Sequence, residues 1–292
     1  MICGSAPSSA NVGAEVGSTL EVVVRGYSSA QRIEVSRCTG AGGVARFCLH
    51  STADGVSTLH HTMTTPKPEA LETDPEYRAA VIDLLGVLAY GELTAFERTA
   101  ADASMAPTID DKAALAGMAT AEYHHFEALR ERLTELGVRP EDAIEPFRRP
   151  LEEFHAHTAP TGWLEGLVKA YVGDGIAMDF YREIAAYVDV HTRALVEQVC
   201  DDHGQSAFIV DRVRAAIVED PRVAGRLALW GRRLVGEALS QAQRVAAERD
   251  ALSTLLVGGV DRPGADLAEM GRMLARLTEN HTRRMTALGL AA

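Results

Sequence analysis

Ala121-Glu122-Tyr123-His124-His125-Phe126 is the stretch around which the rest of the chain is organised. It sits in a helical pattern whose inner stripe reads Leu115, Met118, Glu122, His125, Phe126, Leu129, Leu133 and Leu136. Residues three and four apart share a helix face, so a carboxylate and an imidazole point where apolar core is expected. Burying an ionised carboxylate is costly unless something pairs with it. Two partners satisfy that demand. One is a metal ion, because Glu-x-x-His on the inner face of a bundle helix is half of a di-iron carboxylate site. The other is a buried Glu–His hydrogen bond. The stretch alone leaves both open.

The 292 residues allow one large domain or two small ones. Aromatic residues make up only 5% while Ala, Leu, Arg and Glu abound, which favours helices over sheets. A formal net charge of −12 argues against a chain that coats nucleic acid or membrane without specificity, though a local basic patch remains compatible with it. No continuous apolar run reaches the roughly 18 to 20 residues that span a bilayer. The N-terminus lacks the charged and apolar regions of a secretory signal. Cys3, Cys38, Cys48 and Cys200 show no metal-ligand spacing. A cytoplasmic protein is the expectation.

Residues 1–62 differ in kind from the rest of the chain: rich in Gly, Ser, Thr and Val, without lysine, and without helical periodicity. Strand-like runs such as Leu20–Val24 and Ala45–Leu49 are too few to predict an independent sheet. Met63 opens Met-Thr-Thr-Pro-Lys-Pro like a natural start. Residues 1–62 are therefore expected to be a disordered or misassigned extension, and 63–292 the helical domain.

From Met63 onward the pattern predicts helix after helix. Thr73-Asp74-Pro75-Glu76 is a start signal, and the first helix runs to about Ser104 with Val81, Leu85, Leu88, Glu92, Phe96 and Thr99 inward. Glu92 is a second inward carboxylate, whereas Glu97 faces elsewhere. The second helix carries Glu122 and His125 to the C-cap glycine Gly137. Residues 138–160, with Pro140, Pro146, Pro150 and Pro160, read as a crossover. The third helix, near Gly162 to Tyr187, places Asp174 amid Leu164, Leu167, Tyr171, Met178, Tyr181, Ala185 and Val188. The fourth, about Val190 to Val218, has an ambiguous face: one register brings Asp202 inward, the adjacent one His203.

A fifth helix, Val223 to about Ala251, turns Leu227, Trp230, Leu234, Ala238 and Val245 inward, with Trp230 a packing residue and Glu237 a hydrogen-bonding one. A sixth, about Ala265 to Leu288, has Leu267, Met270, Leu274, Leu277, His281 and Met285 on one face, with His281 read as a satisfied core histidine. The two hairpins resemble each other distantly, each with an acidic residue mid-helix and another roughly 30 residues later, the mark of a ferritin-like core. The predicted fold is all-α: a ferritin-like four-helix bundle with two additional C-terminal helices.

A di-iron carboxylate centre takes one Glu from each of two helices and a Glu-x-x-His from each of the other two. Glu92 and Glu122-x-x-His125 supply the first half. Asp174 supplies the third-helix carboxylate, one methylene shorter. The fourth helix offers Asp202-x-x-Gln205, where Gln binds only through a neutral carbonyl oxygen.

The Glu-x-His-His-Phe motif, its spacing to Glu92 and the run Lys169-Ala-Tyr-Val-Gly-Asp174 resemble the tRNA 2-methylthio-N6-isopentenyladenosine hydroxylase family in its actinobacterial-type branch. So do Arg212-Val-Arg-Ala-Ala-Ile, Asp220 to Trp230 and Leu234 to Gln243. The likeness covers about Met63 to Ala292. It implies a ferritin-like di-iron monooxygenase that activates O2 and hydroxylates the isopentenyl group of a modified adenosine in tRNA. Carried over by position, Glu92, Glu122, His125 and Asp174 would be iron ligands, with manganese the alternative metal. Relatives carry an acidic residue and a His three later on the fourth helix. Here Asp202 fits the first slot, Gln205 stands in the second, and His203 is displaced by two. The resemblance implies tRNA and an electron donor as partners, and a homodimer is a further expectation; a membrane is not. Arginines at 130, 132, 148, 149, 212, 214, 232, 233, 283 and 284 would form an RNA footprint only if they gather at the site mouth. The rival reading is a ferritin-like metal binder, or a non-catalytic bundle, with an incomplete di-metal site.

Overall fold

The computed structural model describes three strands near the N-terminus by their backbone, and residues 66–201, 205–258 and 264–292, those at 205, 206 and 267 by backbone alone. The chain divides into two compact units, Met1–Thr62 and Met63–Ala292.

In the first unit β1 (Leu20–Arg25), β2 (Ala30–Thr39) and β3 (Ala45–Ser51) form an antiparallel sheet in the order β1-β2-β3. Val22 pairs with Ile33 and Val35 with Leu49. The expectation that these runs are too few for a sheet is corrected. The ten-residue β2, longer than either neighbour, pairs with both of them and supplies the third strand that two isolated runs lack.

The second unit is helical. After a single turn, α1 (Ala70–Thr73), α2 spans Pro75–Asp102. Its N-cap is Asp74, whose carboxylate accepts from Tyr77 N, with proline in the first turn. A 3₁₀ turn (Ala103–Met105) leads to α3 (Ile109–Glu135), capped by Thr108 and ended at Gly137, which takes φ 71°. α2 and α3 pack along each other, burying Val81, Leu84, Leu85 and Leu88 against Leu129 and Leu133. Pro75–Met105 is long and apolar enough to cross a membrane by length and composition, but 61% of its most apolar window is buried within the protein. Its apolar residues are spent on the core.

The predicted crossover is instead a helix, α4 (Pro140–His157), with Pro140 in its first turn and Pro146 and Pro150 inside. Each interior proline gives up a backbone hydrogen bond and costs about 3 kcal/mol in an ordinary helix. Ala143, Phe147 and Pro150 repeat at helical spacing and are buried, which offsets that cost. Gly86 makes the contact close: a Cβ there would stand 2.2 Å from the Ala143 carbonyl oxygen.

The third predicted helix is α5 (Trp163–Val168) and α6 (Gly175–Ala185) joined by a π-helical turn, Lys169–Asp174. The fourth is not continuous. α7 (Val190–Val199) ends at Cys200, and α8 (Gln205–Glu219) begins five residues later. The Cys200 carbonyl is taken up by the Arg182 guanidinium, which satisfies the helix end and fixes the break. The fifth also breaks, into α9 (Arg222–Glu248) and α10 (Asp250–Val257), where Arg249 Nε donates to Asp83 of α2 at 2.9 Å.

α11 (Leu267–Ala287) closes the unit, capped by Asp266. Of its predicted stripe Met285 is buried, but Leu274 is 54% exposed. His281 Nδ1 is buried without a partner, so this histidine is not satisfied as expected. Trp230 packs with its Nε1 donating to Glu165 O, and Glu237 meets His157 Nδ1 at 3.1 Å.

Candidate metal centre

Glu92 lies at the inner face of α2 and is 5% exposed, whereas Glu97, five residues on, faces solvent. Glu122 and His125 face it from α3, while His124 faces solvent. His125 Nδ1 stands 3.2 Å from Glu92 Oε2 and 3.6 Å from Glu122 Oε2. One ligand atom from each of the three residues lies within 4.8 Å of the other two. A hydrogen bond to Glu92 therefore exists, yet it does not complete the site. Glu122 Oε2 is buried and has no hydrogen-bond partner.

The electrostatics carry the same message. Burial, and Glu122 beside it, push the Glu92 carboxyl well above the usual carboxylate range, although His125 pulls the other way. The adjoining carboxylates of Glu122 and Glu92 hold His125 up to about 9. Burial and then Glu122 raise Asp174 as well. Asp174 ends the π-helical turn and lines the same cavity as Glu92 and Glu122. Three acids thus share one largely apolar pocket, an arrangement that invites a cation. Two carboxylates and an imidazole suit iron, manganese or zinc, and the orphaned Glu122 oxygen fits the role of ligand.

The profile of the family described as ferritin-like domain, actinomycetes, matches residues 75–259. The chain belongs to that family. No curated protein matches it. Within this ferritin-like chain the three residues that meet come from the first two long helices. Asp174 joins them at the cavity from the third. Asp202 and His203 lie outside the described residues, as does the side chain of Gln205, whose backbone opens α8. The expected single fourth helix is instead two, α7 ending at Val199 and α8 opening at Gln205.

Three neighbours escaped the sequence reading. Tyr181 of α6 is raised by burial and by Glu92, Cys200 and Asp174, so its phenol adjoins the acids. An added Cβ at Gly91 would stand 3.6 Å from Tyr181 Oη. Its place seven residues after Asp174 was a signal, read only as packing. Lys169 Nζ, buried and lowered to about 8 by burial against the pull of Asp174 and Asp102, donates to Thr158 O at 2.8 Å. His155 lines the cavity from α4, a helix that its prolines disguised.

The arginines are engaged with the chain itself. Arg148 meets Glu145 and Glu152, Arg149 meets Glu153, and Arg212 meets Asp111 at 2.6 Å. Arg214 and Arg233 donate to backbone carbonyls of Ala287 and His157.

Proposed function

We propose that this protein is a metal-dependent oxygenase that hydroxylates an aliphatic carbon, with the isopentenyl group of a tRNA adenosine as the substrate suggested by the family resemblance. The observation that carries the reading is the meeting of Glu92, Glu122 and His125, with both carboxylates lining an apolar cavity that Asp174 also lines. Glu92, Glu122 and His125 would hold a metal ion, and Asp174 would extend the ligand set toward a second. The chemistry a di-iron centre supplies is reductive activation of O2, with electrons from an external donor. Leu84, Val87, Phe180 and Ile184 would keep water away and present an aliphatic carbon to the acids. The test compares modified nucleosides in tRNA from a deletion strain and its parent. Loss of the hydroxylated nucleoside supports the tRNA assignment, and an unchanged level rejects it.

A second reading, a ferritin-like metal binder without oxygenase activity, draws support from the interruption between Val199 and Gln205. Oxygen consumption by the iron-loaded protein with a chemical reductant separates the two.

A further inference from the structure

The cavity reaches well past the acids. It has a volume of about 260 Å³ and is lined along α2 from Leu84 to Ala95. Those residues are eleven apart, about 16 Å of helix. Its lining also takes in Leu252 and Leu256 of α10, and Leu239 and Leu274, which are 45% and 54% exposed. Leu239 of α9 and Leu274 of α11 are thus large apolar side chains left partly in water on the cavity lining. A cavity of about 150 Å³ holds benzene, so by proportion this one holds about ten carbons. A five-carbon substituent would leave about half of it empty.

Two polar atoms on the wall are unpaired: His155 Nδ1 and Gln241 Oε1 are buried with no hydrogen-bond partner. Burial, with Lys169 and Arg98 nearby, pushes His155 down to about 3, so it stays neutral. An acceptor oxygen and a neutral imidazole call for a group that can donate and accept, which a hydroxyl does. It would also suit the Gln241 amide in either orientation. A carboxylate head group would have to give up its hydration in this largely apolar lining, a cost that a hydroxyl largely escapes.

We infer that the cavity binds a free aliphatic alcohol of about ten carbons, its hydroxyl held by the unpaired polar atoms of the wall and its chain directed along α2 past Glu92 and Glu122. Binding of the alcohol goes beyond the oxygenase reading and its tRNA substrate and does not depend on them.

The test is calorimetric titration of the full chain, stripped of metal by a chelator, with 1-hexanol, 1-octanol, 1-decanol and decanoate. Affinity rises about fourfold per added methylene across the alcohols, and decanoate binds at least about tenfold more weakly than decanol. Gln241→Leu weakens decanol about tenfold, and Ala238→Trp, which fills the lumen, weakens it at least as much. Affinity independent of chain length, decanoate binding as tightly as decanol, or undiminished binding by a folded Ala238→Trp variant overturns the inference. The chain-length series uses the unmodified protein and stands even if the variants misfold. Alcohol binding without any iron binding would sink the oxygenase reading and leave this one intact.

Discussion

His125 Nδ1 of α3 lies 3.2 Å from Glu92 Oε2 of α2, thirty-three residues away in sequence. That contact ties the two longest neighbouring helices together and leaves Glu122 Oε2, 3.6 Å from His125 Nδ1, buried without a hydrogen bond. A ligand set poised for a cation is a liability without one. Glu122→Gln therefore stabilises the metal-free protein by about 1 kcal/mol in denaturant melts while weakening iron or manganese binding at least tenfold. A variant that lost stability and kept metal affinity would mean Glu122 is a structural residue.

The cluster also makes stability depend on pH. His125 titrates at about 9 in the folded protein against 6.5 ordinarily, so its contribution is full below 6.5 and is lost as pH rises through about 9. Glu92 and Asp174, raised above 4.5 and 3.8, have the same sign: the folded protein keeps protons that the unfolded chain releases, and stability falls with rising pH. His155, pushed down to about 3, works oppositely, its contribution being present above 6.5 and lost as pH falls. Between pH 6.5 and 9 the metal-free protein should lose on the order of 5 °C in Tm. Manganese should restore more at pH 8 than at pH 6, since ligand deprotonation favours binding. A Tm that climbs over that interval without metal contradicts this assignment.

Gly86 sets how closely α4 approaches α2. A Cβ would come within 2.2 Å of Ala143 O and 3.2 Å of Phe147 Cε2, and neither backbone nor ring can yield cheaply. Gly86→Ala is expected to cost about 2 kcal/mol or more by chemical denaturation, despite alanine's better helix propensity. A neutral or stabilised variant would show that the two helices can separate without loss.

The fold was legible where apolar spacing and caps agree. The α2 stripe through Val81, Leu85, Leu88 and Glu92, the Gly137 stop, and the pairing of Glu122 with His125 all follow from three-and-four periodicity. α4 was hidden because Pro146 and Pro150 read as breakers, while the burial of Phe147 that outweighs them is a tertiary effect. The π-helical turn before Asp174 leaves no mark in a residue pattern, since it changes register rather than composition. The break after Val199 depends on Arg182 reaching a carbonyl from another helix. Tyr181 was legible as an inward residue seven after Asp174 but not as a site residue, because a tyrosine in an apolar stripe looks the same whether it packs or borders acids.

The central claim is that Glu92, Glu122 and His125 hold a metal ion. Metal analysis of the full chain, purified aerobically after growth with added iron, tests it most directly. The account predicts about one equivalent or more of iron or manganese per chain, falling to background in a folded Glu122→Ala/His125→Ala variant. Less than about a tenth of an equivalent in the parent protein, unchanged after anaerobic reconstitution with ferrous iron, would contradict it.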